Sequence, residues 1–145
     1  MLSEHFSLDE LTASQTATRN GIKNTPSETV VENLRMLAAL LEQVRTILGD
    51  RSIHISSGYR SLALNRHIKS HDLSAHIRGH AADFTCPSFG TPLAVAKKIA
   101  ESNLKFDQLI YEGTWVHISC DPQNRRQLLT ARFKGGKTFY TTGIT

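Results

Sequence analysis

The most regular stretch of the chain runs from Thr25 to Gly49. Apolar residues recur there at Val30, Leu34, Leu37, Leu41, Val44 and Leu48, at steps of about four and three. That spacing places them on one face of a helix. It predicts a helix over residues 26–48, capped by Thr25 with Pro26 in the first turn and Glu28 closing a capping box. Gly49 is the natural stop. The stripe reads as core packing behind a sheet. Residues 3–14 predict a short helix starting near Ser7, while the polar residues 15–24, with Asn20-Gly21, read as a turn. Residues 51–56 alternate polar and apolar and predict a strand. A helix follows from Ser61 to about Ser70, with a loop and a second alternating run, His80–Phe84, behind it. Thr91-Pro92 opens another helix, through about Ser102. Residues 106–112 and 114–120 predict two strands joined tightly at Gly113, and residues 126–133 and 138–142 a hairpin about Gly135-Gly136.

These elements imply an α+β fold: helices packed on one side of a small antiparallel sheet. At 145 residues the chain has the size of a single domain, with about 121–145 as a C-terminal hairpin extension. Hydrophobic content of 39% and charged content of 21% suit a globular protein. There is no run of about 18 apolar residues, so no membrane insertion is expected. The opening residues 1–6 lack a basic segment followed by an apolar one, so no secretory signal is expected and synthesis is expected in the cytoplasm. The net charge of +4 suits a polyanionic partner, but Lys and Arg are scattered, with local density at Arg125-Arg126 and at Arg132-Lys134-Lys137. A solvated basic face is the simpler reading, and no nucleic-acid partner is expected. Cys86 and Cys120 do not have metal-site spacing, and free thiols are the expected state.

The candidate chemistry centres on residues 74–83, SAHIRGHAAD. His76 precedes Asp83 by seven residues, with Gly79 between them to permit a left-handed turn, and His117 follows downstream. Two imidazoles and a carboxylate are a frequent protein contribution to a catalytic zinc site with one position left for water. Of the 7 histidines, His80 falls on the opposite strand parity from Asp83 and is left out of the ligand set. His5, His54, His67 and His71 read as surface or structural.

The pattern Ser-x-His-x-x-Gly-x-Ala-x-Asp at 74–83 resembles the zinc motif of the D-alanyl-D-alanine carboxypeptidase and L-alanoyl-D-glutamate endopeptidase family, with its hedgehog/DD-peptidase fold. Ser57-Gly58-Tyr59-Arg60 resembles the family's Ser-Gly-Tyr-Arg segment, and Trp115-Val116-His117 its terminal Trp-x-His ligand. The motifs come in the family's order and span about residues 3–120. The resemblance implies one Zn²⁺ held by His76, Asp83 and His117, and hydrolysis of peptide bonds in peptidoglycan stem peptides; a monomer is expected, though nothing in the residues fixes the oligomeric state. Arg60 would face the substrate carbonyl or carboxylate as a catalytic and binding residue. Tyr59, Ser74 and Trp115 are further candidates for substrate contact, with Tyr59 and Trp115 also readable as core; Ser57 is a candidate to orient neighbouring groups. Glu112 is the candidate general base and Asp107 the next. The family often places its acid three residues before the last histidine, where this chain has Thr114, so a turn must bring Glu112 back to the ligand. Small size and the missing leader resemble phage or prophage lysis enzymes, which reach the wall after release from the cytoplasm. The alternatives are a non-catalytic zinc module that binds cell wall or protein, and a basic nucleic-acid-binding domain.

Overall fold

The computed structural model describes all 145 residues. Five helices and six strands alternate along the chain: α1 (Leu8–Thr12), α2 (Gln15–Arg19), α3 (Glu28–Ile47), β1 (His54–Ser57), α4 (Leu62–His67), β2 (Ala81–Thr85), α5 (Pro92–Glu101), β3 (Gln108–Tyr111), β4 (Val116–Ser119), β5 (Gln127–Lys134) and β6 (Lys137–Thr142). A single 3₁₀ turn, Ala75–Arg78, precedes β2. The strands form one sheet in the order β1-β2-β4-β3-β5-β6. This is the expected α+β architecture. All strand pairs but one are antiparallel: β5 runs parallel to β3, because the chain crosses over after β4 before it adds the terminal hairpin.

The apolar stripe of α3 forms as its period requires. Leu34, Leu37, Leu41, Val44 and Leu48 are all essentially inaccessible to solvent. The cap is Ser27, not Thr25: its hydroxyl accepts the Val30 N–H, and Pro26 stands just outside the helix. Residues 15–19, expected as part of a turn, form α2, a five-residue helix capped by Ser14. No helix is long and apolar enough to cross a membrane.

The sheet divides the molecule by the two-residue period of its strands. Ala82 and Phe84 of β2, Val116 and Ile118 of β4 and Leu109 of β3 join α1, α3 and α5 in a common core. Asp83, His117 and Ile110 point to the other face, where they line a cleft of about 720 Å³.

Gly58, at the end of β1, ties the core to that cleft. A Cβ there would lie 2.3 Å from the carbonyl oxygen of Leu11, which accepts the Tyr59 N–H at 2.7 Å. That neighbour is backbone and cannot swing away. Gly58→Ala is therefore expected to cost about 1–3 kcal/mol by overpacking, measured by urea unfolding. Because the Gly58 carbonyl also lies 2.7 Å from His76 Nδ1, the same variant is expected to disturb the placing of that ring.

Candidate metal and active site

Asp83 and His117 are directly opposed residues on β2 and β4, so their side chains rise together from one face of the sheet. His76 comes from the 3₁₀ turn. Gly79 ends that turn in the left-handed region, with φ of +76°, and a Cβ there would press to 3.0 Å on Val30 of α3. The turn can thus sit tight against α3 and deliver His76 beside β2.

The three side chains converge. His76 Nε2 lies 3.3 Å and His117 Nδ1 3.0 Å from the same oxygen, Asp83 Oδ1. The imidazole centroids are 5.1 Å apart in an edge-on arrangement. One ligand atom from each residue falls within 4.8 Å of the others, and all three residues are buried.

The tautomer of His76 follows from its other nitrogen. Nδ1 is 2.7 Å from the Gly58 carbonyl oxygen. A carbonyl only accepts, so Nδ1 carries the proton and Nε2 presents a lone pair. That lone pair faces a carboxylate oxygen, and Nε2 is buried without a hydrogen-bond partner. Protonating the ring would relieve the conflict, but burial pushes the His76 pKa down. Burial also pushes the Asp83 carboxyl up, yet the hydrogen bond it accepts from His117 helps hold the acid below the usual carboxylate range. Two acceptors thus face one another, with His76 Nε2 itself shut off from solvent. A cation between them resolves what is otherwise a costly arrangement. Two imidazoles and a carboxylate, one of the imidazoles locked by a backbone carbonyl, fit a transition metal ion such as zinc.

Arg60 and Glu112 flank this cluster in the same cleft. Arg60 Nη2 lies 3.7 Å from Asp83 Oδ2, the oxygen turned away from the imidazoles. Arg60 Nη1 donates to Asn65 Oδ1 at 3.2 Å, and its backbone N–H donates to the His76 carbonyl. Glu112 begins the turn between β3 and β4. Its N–H donates to the Trp115 carbonyl at 3.0 Å, and the Trp115 indole N–H donates back to Glu112 Oε2 at 2.8 Å. Burial, and then the charge on Asp83, raise the Glu112 pKa above the ordinary glutamate value, against the opposing pull of His117, Trp115 and Arg60. The turn through Gly113 and Thr114 compensates for the longer spacing between this acid and His117: both line the one cleft.

The model of the family described as Peptidase M15 matches residues 4–119 of this sequence, which is most of the chain. The chain belongs to the Peptidase M15 family. It is thereby placed among hydrolases of the metallopeptidase kind, and its His76–Asp83–His117 cluster is a possible metal site. No curated protein sequence matches it. The match ends at the close of β4, so β5 and β6 of this M15 chain lie outside it.

The other candidate residues of this M15 chain fall in different places. Ser74 lines the cleft and caps the 3₁₀ turn, its hydroxyl accepting the His76 N–H. Trp115 lines the cleft and steadies Glu112. Ser57 also reaches the cleft. Tyr59 does not: only 8% exposed, it packs into the core and borders a separate hollow beside β1. Of its two readings, this placement is the packing one. Asp107 lines the cleft but is committed elsewhere, accepting from Nε and Nη2 of Arg125, both at 2.8 Å. Those bonds hold its pKa below the normal value. His80 stays out of the cluster, with Nδ1 3.9 Å from Asp121.

Of the basic pair at 125–126, Arg125 is exposed and paired with Asp107, while Arg126 packs on the protein. Arg126 lies over the Phe106 ring at 4.9 Å and donates to the carbonyls of Ala100, Ser102 and Leu104. Both cysteines are free thiols, and burial pushes Cys120 up to about 11.

Two participants escaped the reading of the sequence. Asn65 is fully buried, bonded to Arg60 and to the His71 carbonyl. A polar side chain on the inward face of a short helix was the one signal for it. Tyr140 of β6 lines the cleft from the terminal hairpin, and nothing in its local sequence marks it.

Proposed function

We infer that the protein is a zinc peptidase that cleaves peptide bonds in the stem peptides of peptidoglycan. The observation that carries this reading is the buried pair of facing acceptors, His76 Nε2 and Asp83 Oδ1, with a carboxylic acid of raised pKa in the same cleft. His76, Asp83 and His117 would hold the ion. Zinc supplies Lewis-acid polarisation of a scissile carbonyl and acidifies water.

The chain's own groups provide the rest. Glu112 Oε2 is held by the Trp115 indole, leaving Oε1 to accept a proton from the attacking water and return it to the leaving amine. Its raised pKa suits both halves of that transfer. Arg60, fixed by Asn65, presents a permanent positive charge at the cleft wall, placed to bind a carbonyl oxygen as negative charge develops on it. A terminal carboxylate is an equally good partner for that guanidinium. The same site therefore suits either trimming of a C-terminal D-alanine or cleavage between L-alanine and D-glutamate. The family resemblance further favours a wall-lysing enzyme of phage or prophage type, made in the cytoplasm and acting on the wall after release.

Purified peptidoglycan digested with the zinc-loaded protein, with and without chelator, tests the reading. Mass spectrometry is expected to find stem peptides cut at one bond type only when zinc is present. Zinc-loaded protein that leaves every wall chemistry intact would favour the non-catalytic wall- or protein-binding module instead. Zinc is also expected to raise the thermal midpoint, since an ion that binds only the folded state stabilises by about 2.7 kcal/mol at a hundredfold excess over its Kd.

A further inference from the structure

The terminal hairpin lies outside the family match, yet it builds part of the cleft. Thr138 and Tyr140, on one face of β6, line it together with the His–Asp–His cluster. The register shows how Tyr140 comes to be there. In the parallel β3–β5 pair Tyr111, the residue before Glu112, is opposite Thr130, the residue before Ala131. Ala131 in turn is paired with Tyr140 across the hairpin. Glu112 and Tyr140 thus come to one cleft, with Ala131 on the strand between them. The middle residue is small and 7% exposed, which leaves space for the phenol ring to lean across it towards Glu112.

Tyr140 does little for the fold. It is 51% exposed and outside the core cluster. Burial of its hydroxyl end, and next the charges of Glu112 and Asp83, push the phenol above its ordinary pKa. It therefore remains an O–H donor at neutral pH. An open aromatic face with a protonated hydroxyl, next to the acid of the reaction, is suited to a peptide, whose backbone offers both apolar surface and carbonyl acceptors.

We propose that Tyr140 is a substrate-contacting residue, and that the β5–β6 hairpin is the wall of the cleft that grips the stem peptide beside Glu112. The proposal rests on the peptidoglycan-peptidase reading above. Its ring packs on the bound peptide and its hydroxyl donates to a backbone carbonyl, so its contribution is chiefly to binding.

Steady-state kinetics on soluble muropeptides with zinc-loaded wild type, Y140A, Y140F and F139A test it. Phe139 points to the opposite face of β6, paired with Arg132, and F139A is expected to behave as wild type. Y140A is expected to raise KM by about tenfold while kcat changes by less than about threefold, the signature of lost ground-state contact. Y140F, which keeps the ring, is expected to lie between. The cleavage-dead E112Q protein, mixed with intact wall sacculi and centrifuged, is expected to pellet less when Y140A is added. Wild-type KM and unchanged pelleting for Y140A would overturn the role of Tyr140 while leaving the peptidase reading standing. Absence of wild-type turnover on any muropeptide would overturn that reading and the Tyr140 proposal with it.

Discussion

Glu112→Gln is expected to lower kcat by about 10² to 10⁴-fold without disturbing fold or metal uptake. The amide keeps the shape of the side chain and an oxygen to accept the Trp115 indole N–H, the bond that fixes Glu112 in its turn. It cannot take up a proton. Glu112 is not one of the three clustered ligands, so zinc content by elemental analysis should match the wild type. The residual rate should also lose the acid limb of the pH profile. A base works only when deprotonated, so wild-type activity must fall as pH drops through the Glu112 pKa, and the glutamine has none. Asp107→Asn is the companion variant. Because Asp107 is engaged by Arg125, it should lower stability and leave the acid limb in place.

Asp83→Ala is expected to remove metal binding and activity together. Asp83 Oδ1 is the one atom approached by both imidazoles, and it supplies the only negative charge among the three ligands. Losing groups that merely support a ligand typically weakens metal affinity by about 10 to 100-fold; loss of a ligand itself should exceed that. The thermal shift produced by zinc in the wild type should vanish in this variant. The folded state should survive, since β2 remains held between β1 and β4 by backbone pairing and by Ala82 and Phe84 on the core face.

What could be read from residues alone follows physical range. The stripe of α3 and the alternation of β2 and β4 are local periodic signals that tertiary packing reinforced, so their faces came out as expected. That Asp83 and His117 belong to one site was reachable because the two motifs named them both as ligands, while their direct opposition on β2 and β4 shows only in the folded chain. Five-residue α2 was lost because one buried residue, Ala17, makes no period. Thr25 competes with Ser27 as a cap two residues apart, and the hydroxyl that meets the Val30 N–H decides between them only in space. The parallel pairing of β5 with β3 depends on a crossover that no turn signal encodes. Tyr59 resembles a site residue by its neighbours in sequence, but the turn at Gly58 sends its ring into the core and leaves Arg60 to face the cleft. The contacts that tune the site, Gly58 with His76 and Asn65 with Arg60, join side chains to partners whose placement only the folded chain defines.

An anomalous-diffraction map from crystals grown with zinc, recorded at the zinc absorption edge, addresses the metal centre most directly. The expected result is one strong peak about 2.0–2.2 Å from His76 Nε2, from an Asp83 carboxylate oxygen and from a His117 ring nitrogen, with a fourth position open to the cleft. A map with no peak among these three residues, or with Asp83 turned wholly onto Arg60 and the ion bound elsewhere, would contradict the account.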